Sequence, residues 1–380
     1  MFLVSVMVLF LFVACGQFPS ESAPTMSVPT QTPFLTNTPR STNTALSPTI
    51  PATATLSPSL ASVRIVFTYE EKLWLWQGGT AQPLTSVNDG ASINISDDGE
   101  IIAFTRDGLW VINSDGRNER LLLGDEVFGQ IEPKAPGVEL DDFDWVPNTY
   151  TLLFNTILTD GRGLSPTDDL YMVDAETMQW KLLRKPGEGG KFFFSPDGQR
   201  VAMTTPTQIR LMNIDGSNYH VVMNYSVPFP SDYAYYAAPN WAADSQSLTV
   251  PIPPEDFYYT VTTSPTLVWQ LPVDGTPPTI ISELPPGDSG YDNRIWSPEK
   301  QHFAFWFEGA YHLDTDGVVL NPLTEIGASE RRFAWIDEAH FLYYLSNCNL
   351  RLGTIGEPSI SLNNMQTADK YCSSAYDYAR

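Results

Sequence analysis

The sequence predicts an all-β fold, a single β-propeller of four-stranded antiparallel blades, with seven blades favoured and six as the alternative. Three observations lead to this prediction. A turn of the Ser-Pro-Asp-Gly type recurs at intervals of roughly 40 to 54 residues, a period typical of propellers and solenoids. A second turn, usually Asp-Gly, follows each of these turns. Short runs of alternating apolar and polar residues flank both turns, as expected for antiparallel strands.

The repeat is clearest in FFFSPDGQRVAM, at 192–203. Its counterparts along the chain are INISDDGEIIAF, FDWVPNTYTLLF, PNWAADSQSLTV, RIWSPEKQHFAF and RFAWIDEAHFLY. Proline fixes φ at the first turn position, and glycine supplies the positive φ with which the turn closes. The fourth unit therefore contains the strands KFFFS, QRVAMTT, IRLMNI and NYHVVM, joined by hairpins.

These units resemble the WD40-like (PD40) repeats of the TolB-like β-propellers, whose consensus joins an SPDG turn to a later DG turn. The resemblance covers nearly all of 63–362 and is closest around Ser195–Gly216 and Ser96–Gly116. It implies the fold but not the function, because this propeller carries many unrelated activities.

The number of blades depends on how the ring closes. The last three strands of a unit occur about seven times, but the SPDG-bearing first strand has no counterpart before Val63. A closed ring leaves no free strand edge, so the missing inner strand must come from elsewhere. We predict that the tail after Leu362 returns to the first blade. A six-bladed ring with one degenerate unit is the alternative.

The chain is expected to have four parts: a lipoprotein-type signal (1–15), a disordered tether (16–62), the propeller (63–365) and a ring-closing tail (366–380). The first run is uncharged, apolar and short, as in an export signal. Its end resembles the lipobox of bacterial lipoproteins, which implies a lipid on Cys15 and membrane anchoring at the bacterial cell surface or in the periplasm. A cleaved signal for soluble secretion is the alternative. The tether is rich in Pro, Thr and Ser, so it cannot bury enough apolar surface to fold.

Cysteine content indicates the cellular compartment, and net charge excludes one class of partner. Cys348 and Cys372 remain after export and predict one disulfide in an oxidising compartment, which would pin the tail to the last blade. Two buried free thiols are the alternative. The net charge of -23 repels phosphate backbones, so nucleic acid is excluded as a partner.

Strand order predicts which face binds. In a four-stranded antiparallel blade, the first and third connections leave one face, and the second connection and the inter-blade link leave the other. By this count the long segments all leave the second face; they are 124–142, 158–170, 224–239, 251–266 and 283–293. Lengthened loops on one face of a rigid scaffold are where binding sites concentrate.

These loops are rich in aromatic and acidic residues. Tyrosine is enriched in interface cores because it combines apolar area with a polar tip. The candidate binding residues are Phe229, Tyr233, Tyr235, Tyr236, Glu255, Asp256, Phe257, Tyr258 and Tyr259. The alternative is that the aromatic residues pack the loops against one another. The acids Asp141, Asp142, Asp144, Asp232, Glu255 and Asp256 are interpreted as a solvated rim, because they lack the spacing of a calcium loop.

No catalytic motif accompanies this face. The sequence contains no Gly-x-Ser-x-Gly, His-Glu-x-x-His, Walker or dinucleotide-binding pattern. The four histidines share no ligand spacing. We therefore predict a non-catalytic propeller without metal or cofactor that binds a protein or peptide in the cell envelope. The alternative is a propeller that binds or cleaves a glycan, as a lyase or hydrolase, in the same face.

Overall fold

A computed structural model describes the protein over residues 60–131, 137–159, 164–226, 234–255, 264–284, 294–298, 302–307, 310–315, 318–319, 328–345, 349–363 and 375–379. All of them belong to the compact unit Thr55–Arg380. The predicted signal segment with Cys15, residues 16–59 of the tether, and both Cys348 and Cys372 lie outside the described residues. The lipid anchor and the disulfide therefore remain predictions.

The described elements follow one another as short strands with a single helix. In chain order they are β1 (Arg64–Tyr69), β2 (Lys72–Gln77), β3 (Thr80–Ser86), β4 (Ile93–Ile95), β5 (Ile101–Thr105), β6 (Leu109–Asn113), β7 (Arg120–Leu123), α1 (Asp125–Ile131), β8 (Val138–Trp145), β9 (Thr151–Thr159), β10 (Leu164–Pro166), β11 (Leu170–Asp174), β12 (Trp180–Arg184), β13 (Lys191–Phe194) and β14 (Arg200–Thr205). The second half contains β15 (Gln208–Asn213), β16 (His220–Asn224), β17 (Asn240–Trp241), β18 (Ser247–Ile252), β19 (Thr266–Pro272), β20 (Thr279–Leu284), β21 (Arg294–Trp296), β22 (His302–Phe307), β23 (Ala310–Thr315), β24 (Val318–Val319), β25 (Ala328–Trp335), β26 (His340–Leu345), β27 (Leu350–Thr354), β28 (Glu357–Ser361) and β29 (Tyr376–Ala379).

These strands form seven antiparallel sheets, the blades of a β-propeller. Blade 1 has the order β29-β1-β2-β3, and blade 2 is β4 to β7. Blade 3 contains β8, β9, β11 and β12, with β10 paired to the end of β9. Blades 4 to 7 are β13–β16, β17–β20, β21–β24 and β25–β28. The predicted fold class is confirmed, with seven blades, and the fourth unit has the predicted strands.

Ring closure follows the predicted route. Tyr376–Ala379 of the tail pairs antiparallel with Arg64–Phe67 of β1 and becomes the inner strand of blade 1. A strand that follows blade 7 in the sequence therefore completes blade 1, and β1 has no unpaired inner edge.

The segment 124–142 differs from the prediction of one long loop. Asp125–Ile131 forms a short helix, and 138–142 belongs to β8, the inner strand of blade 3. Gly124 separates β7 from the helix, and two acidic residues occupy the first helical turn, where the helix dipole favours negative charge. The helix buries Phe128, but seven residues are too few for a helical period to be visible in the sequence.

The core lies between neighbouring blades. Central strands such as β9 and β14 are buried along nearly their whole length because both faces of a blade pack on another blade. Val66 of β1 and Ile102 of β5 share one cluster between blades 1 and 2. Ile65 of β1 and Leu342 of β26 share another between blades 7 and 1, which closes the ring. Each such side chain contributes about 1.5 to 3 kcal/mol on burial.

The repeated Ser-Pro-Asp-Gly turn has a structural reason. In blade 4 the hydroxyl of Ser195 accepts the Arg200 N–H at 2.9 Å and donates to Asp197 at 2.6 Å. In blade 2 the hydroxyl of Ser96 accepts the Ile101 N–H at 3.0 Å. Both serines are buried, so each turn satisfies a backbone donor that would otherwise be costly to bury.

Candidate functional site

The antiparallel pairing divides the connections into two sets. In blades 2 to 5 and 7, tight turns join the first to the second strand and the third to the fourth strand, and we call their end the turn face. The second connections and inter-blade links leave the opposite end, the loop face. Helix α1, Thr167–Asp169 and Ala234–Pro239 belong to connections of the loop face. This agrees with the strand-order prediction for the long segments wherever they are described.

Six of the nine predicted binding residues belong to connections that the structure does not describe. Phe229, Tyr233, Asp256, Phe257, Tyr258 and Tyr259 lie outside the described residues, as does the acid Asp232. Glu255 is described, and its side chain is exposed at the end of the connection after β18. The assignment of these residues to a binding surface remains a prediction.

Tyr235 does not offer a contact surface. It is only 6% exposed, and its hydroxyl donates to the Pro251 carbonyl at 3.1 Å. Its ring meets that of Tyr225 edge to face, with centroids 6.0 Å apart. For this residue the alternative from the sequence is correct: the aromatic ring packs the loop on blades 4 and 5.

Tyr236 lies in a polar cluster on the loop face. Its hydroxyl donates to Asp168 at 2.9 Å, and the ammonium group of Lys191 lies 5.3 Å from the centre of its ring. We call Tyr236, Asp168, Lys191 and Asp141 the Tyr236 cluster. These residues come from an inter-blade link, a second connection and two inner strands, so the fold joins segments that are distant in sequence.

Charge and burial couple the members of this cluster. Burial raises the pKa of Asp168, whereas the Tyr236 hydrogen bond opposes this rise. Burial and the Asp168 carboxylate together raise the pKa of Tyr236. Burial also raises the pKa of Asp141, and the positive charge of Lys191 opposes it. Lys191 and Asp141 are exposed and Tyr236 is half-buried, so a ligand can reach both charges and part of the ring.

A tightly packed backbone supports the Tyr236 cluster. Gly189 and Gly190 donate to the carbonyls of Asp168 and Asp169 at 2.6 and 3.3 Å. Gly190 has a φ of +120°, and a Cβ atom there would lie 2.1 Å from the Thr204 carbonyl oxygen. The fully buried Asp169 accepts both the N–H and the hydroxyl of Thr156, at 2.9 and 2.6 Å. These contacts fix the loop that carries Asp168 and the start of β13, where Lys191 lies; we call this backbone the glycine frame.

A second feature is a cavity of about 370 Å³ between the inner strands of blades 7, 1, 2 and 3. Its lining consists of Ser92, Ile93, Asn94, Asp142, Phe143, Phe333, Ala334, Tyr376, Asp377 and Tyr378. Since four inner strands surround it, the cavity belongs to the central channel of the ring. The closing strand β29 supplies three of these residues.

The acids of β8 stand beside this cavity. Burial raises the pKa of Asp144 to about 7, and the charges of Asp377, Asp142 and Asp97 add to the rise, whereas the Trp145 N–H opposes it. The Asp144 side chain reaches solvent on one side, although protein surrounds it elsewhere. Burial also raises the pKa of Asp142. The predicted acidic rim therefore consists in part of strand residues facing the channel.

Sequence reasoning did not single out Asp168, Lys191 or Asp377. The run PGEGGK, just before β13, was the available indication for the first two, because closely spaced glycines mark backbone that approaches another segment. No local pattern indicated Asp377, whose position depends on ring closure.

Among the residues that the structure describes, no group of three or more His, Cys, Asp or Glu side chains is arranged to hold a metal ion. Within the same residues, no helix has the length and apolar character needed to cross a membrane.

Comparison with known proteins gives structural neighbours only. No protein-family model matches the sequence, and no curated protein matches it. The propeller domain of the Trilobed protease from Pyrococcus furiosus is 13% identical, with 80% of this chain and 96% of that chain covered and a TM-score of 0.47. The oligogalacturonate lyase of Vibrio parahaemolyticus is 12% identical over 75% of this chain and 84% of that one, with a TM-score of 0.47.

TolB from Acinetobacter baumannii is also similar, at 16% identity and a TM-score of 0.39, over 68% of this chain. The chain spans 63% of the length of that TolB. At such identities the likeness concerns the β-propeller fold, and it assigns no activity, substrate or partner to this chain.

Proposed function

We propose that the chain is a non-catalytic binding protein whose propeller holds a protein or peptide partner of the cell envelope on its loop face. The observation that carries the proposal is the Tyr236 cluster. It presents a half-buried phenol ring whose hydroxyl donates to the Asp168 carboxylate and whose face lies near the accessible ammonium group of Lys191, on the face that also carries the long connections.

The cluster suits protein recognition for physical reasons. Tyrosine supplies contact area at low conformational cost, and charges of both signs beside it favour a correctly oriented partner. The glycine frame fixes the loops, so little ordering would be needed on binding. In this proposal the exposed Glu255 and the predicted residues Phe229, Tyr233, Asp256, Phe257, Tyr258 and Tyr259 extend the same surface.

Location forms part of the proposal. The apolar run ending at Cys15 and the Pro/Thr-rich segment after it would anchor the propeller to a membrane by lipid and hold it away from that surface. Labelling cells with an alkyne fatty acid tests the anchor. We expect label on the wild-type chain and none on Cys15→Ser.

The partner test uses the full chain crosslinked in envelope preparations. We expect Lys191→Glu to lose the captured protein because it reverses one charge of the Tyr236 cluster without changing the core. Lys72→Glu is the matched control, because this exposed lysine lies in β2 of blade 1, away from the cluster. Equal capture by wild type and Lys191→Glu would contradict the proposal.

A glycan is the second candidate ligand, since aromatic rings such as that of Tyr236 can stack on sugar faces. An array of envelope and plant polysaccharides tests it with the same two variants. Binding of a polysaccharide that is lost in Lys191→Glu, or turnover of any polysaccharide, would replace the protein proposal with this one.

A further inference from the structure

We propose that the inner edge of β1 is a binding site for an extended strand with the pattern Ala-Tyr-Asp-Tyr-Ala. The chain's own C-terminal strand occupies this site and leaves it in a local opening while the rest of the ring stays folded. This proposal does not depend on the identity of any envelope partner.

The site selects different side chains on its two sides. Tyr376 and Tyr378 face blade 7, where Tyr376 meets the Tyr344 ring at 5.4 Å and the Tyr378 hydroxyl donates to the Trp335 carbonyl at 2.5 Å. On the other side Ala379 packs in the cluster between blades 1 and 2. Alternate positions of the strand are therefore aromatic on one side and small or acidic on the other, as the period of a β-strand requires.

Polar contacts join the strand to three blades at once. Asp377 accepts the Ile95 N–H of blade 2 at 2.7 Å. Ala375 exchanges two bonds with Thr68 of blade 1, accepting the Thr68 N–H at 3.0 Å and donating to its hydroxyl at 2.9 Å. These contacts specify one register, because a shift by one residue would exchange the two sides of the strand.

Chain connectivity allows this strand to leave the ring by itself. It pairs with β1 over four residues although the two strands are distant in sequence. By contrast, a short turn joins each of the inner strands β4, β8, β13, β17 and β25 to its partner strand. Release of β29 therefore disrupts no hairpin, and such a separately attached segment can open at lower free energy than the core.

Opening would remove a wall of the central cavity. Tyr376, Asp377 and Tyr378 are three of its ten lining residues. The cavity is complete only while the strand is seated, so a molecule bound there would hold the ring closed by mass action.

Amide hydrogen exchange on the full-length chain tests the opening. The Thr68 and Ile95 amides donate to the closing strand, and the Ala202 amide in β14 serves as an internal reference for the core. We expect Thr68 and Ile95 to exchange faster than Ala202 in the wild type. Asp377→Ala should accelerate exchange at Thr68 about five- to tenfold, the effect of losing one hydrogen bond, because an opening of the whole strand releases the Thr68 and Ile95 amides together.

Tyr378→Phe removes a hydroxyl from the same strand and should also accelerate Thr68. Tyr219→Phe is its matched control, because that hydroxyl donates to the Glu188 carbonyl at 3.0 Å elsewhere in the ring, and it should leave Thr68 unchanged. If Asp377→Ala changes only Ile95, or if Thr68 and Ala202 always exchange together, the strand does not open locally and the proposal is wrong.

A peptide experiment tests directly whether an added strand can take the place of β29 on β1. A biotinylated peptide of residues 373–380, SSAYDYAR, is incubated with full-length wild type and with full-length Asp377→Ala. We expect capture of the variant to exceed that of the wild type, because its own strand is seated more weakly. Absence of capture by the variant, or equal capture of a scrambled peptide, would overturn the assignment of β1 as a strand-binding site.

Discussion

At the scale of single residues, the carboxyl group of Asp144 beside the central channel makes the free energy of unfolding depend on pH. Asp144 has its pKa raised from 3.8 to about 7 in the folded protein. Between these values the native state binds more protons than the unfolded state, so the free energy of unfolding falls as pH rises from about 4 to about 7. Above that range the ionised group destabilises the fold.

The substitution Asp144→Asn should remove this pH dependence. The full shift would correspond to about 4 kcal/mol; because the side chain reaches water, we expect about 1 to 2 kcal/mol. Urea unfolding at pH 5 and pH 8 should show the variant gaining more stability relative to wild type at pH 8 than at pH 5. Glu176→Gln, at an exposed carboxylate, should show no such gain. An equal change at both pH values would contradict the assignment.

Tyr236 offers a second test at this scale. Tyr236→Phe keeps the ring but removes the donor to Asp168, and we expect a loss of about 1 kcal/mol in the free energy of unfolding. Without that donor the pKa of Asp168 should rise further, because the hydrogen bond now lowers it. Carboxyl NMR titration measures the pKa. No movement of the Asp168 pKa would show that the bond is absent in solution.

At the scale of elements, the turns explain why the fold could be predicted. Each hairpin is encoded within about a dozen residues, so period, turn chemistry and alternation agreed without any tertiary information. The helix α1 was missed because it is only one or two turns long. The Tyr236 cluster and the short distance between Asp144 and Asp377 were missed because these residues come from different blades. A local sequence pattern does not indicate contacts between blades.

The turns also provide a paired test of that local encoding. Ser195→Ala should cost about 1 kcal/mol, because the partly buried Arg200 N–H loses its serine acceptor. Blade 5 has Ala242 at the equivalent position and keeps the turn aspartate, Asp244, whose carboxylate accepts the Gln246 N–H at 2.9 Å. Ala242→Ser should therefore add the missing acceptor for Ser247 and stabilise the protein by several tenths of a kcal/mol. Thermal unfolding measures both; effects of the same sign would refute the shared turn chemistry.

The glycine frame under the Tyr236 cluster is the other element for which we predict how much stability a substitution would remove. Gly190→Ala places a Cβ atom against the Thr204 carbonyl at a residue with φ of +120°, and we expect a loss of several kcal/mol. Gly187→Ala is the control, because φ is +81° but nothing lies within 4 Å of its Cβ position. It should cost only about 1 kcal/mol. Chemical denaturation distinguishes the two, and similar losses would argue against the close packing.

At the scale of the whole molecule, strand order places tight turns on one end of the ring and variable connections on the other. Because of this division, the connections of the loop face can differ in length and sequence without any change in the core. Loop length affects stability weakly, since closure entropy grows only with the logarithm of length. A propeller of this kind can therefore carry binding residues in its connections at little cost to the ring.

This division predicts that binding and folding can be separated by face. Replacing 257–262 with a Gly-Ser linker alters a loop-face connection between β18 and β19, and we expect a midpoint of thermal unfolding within a few degrees of wild type but loss of the captured envelope partner. Inserting Gly-Ser-Gly after Asp274, in an exposed turn of the opposite face, should leave both properties intact. Partner loss in the turn-face variant, or partner retention in the loop-face variant, would place the binding surface elsewhere. The same blade carries both changes, so a difference between them must come from the face.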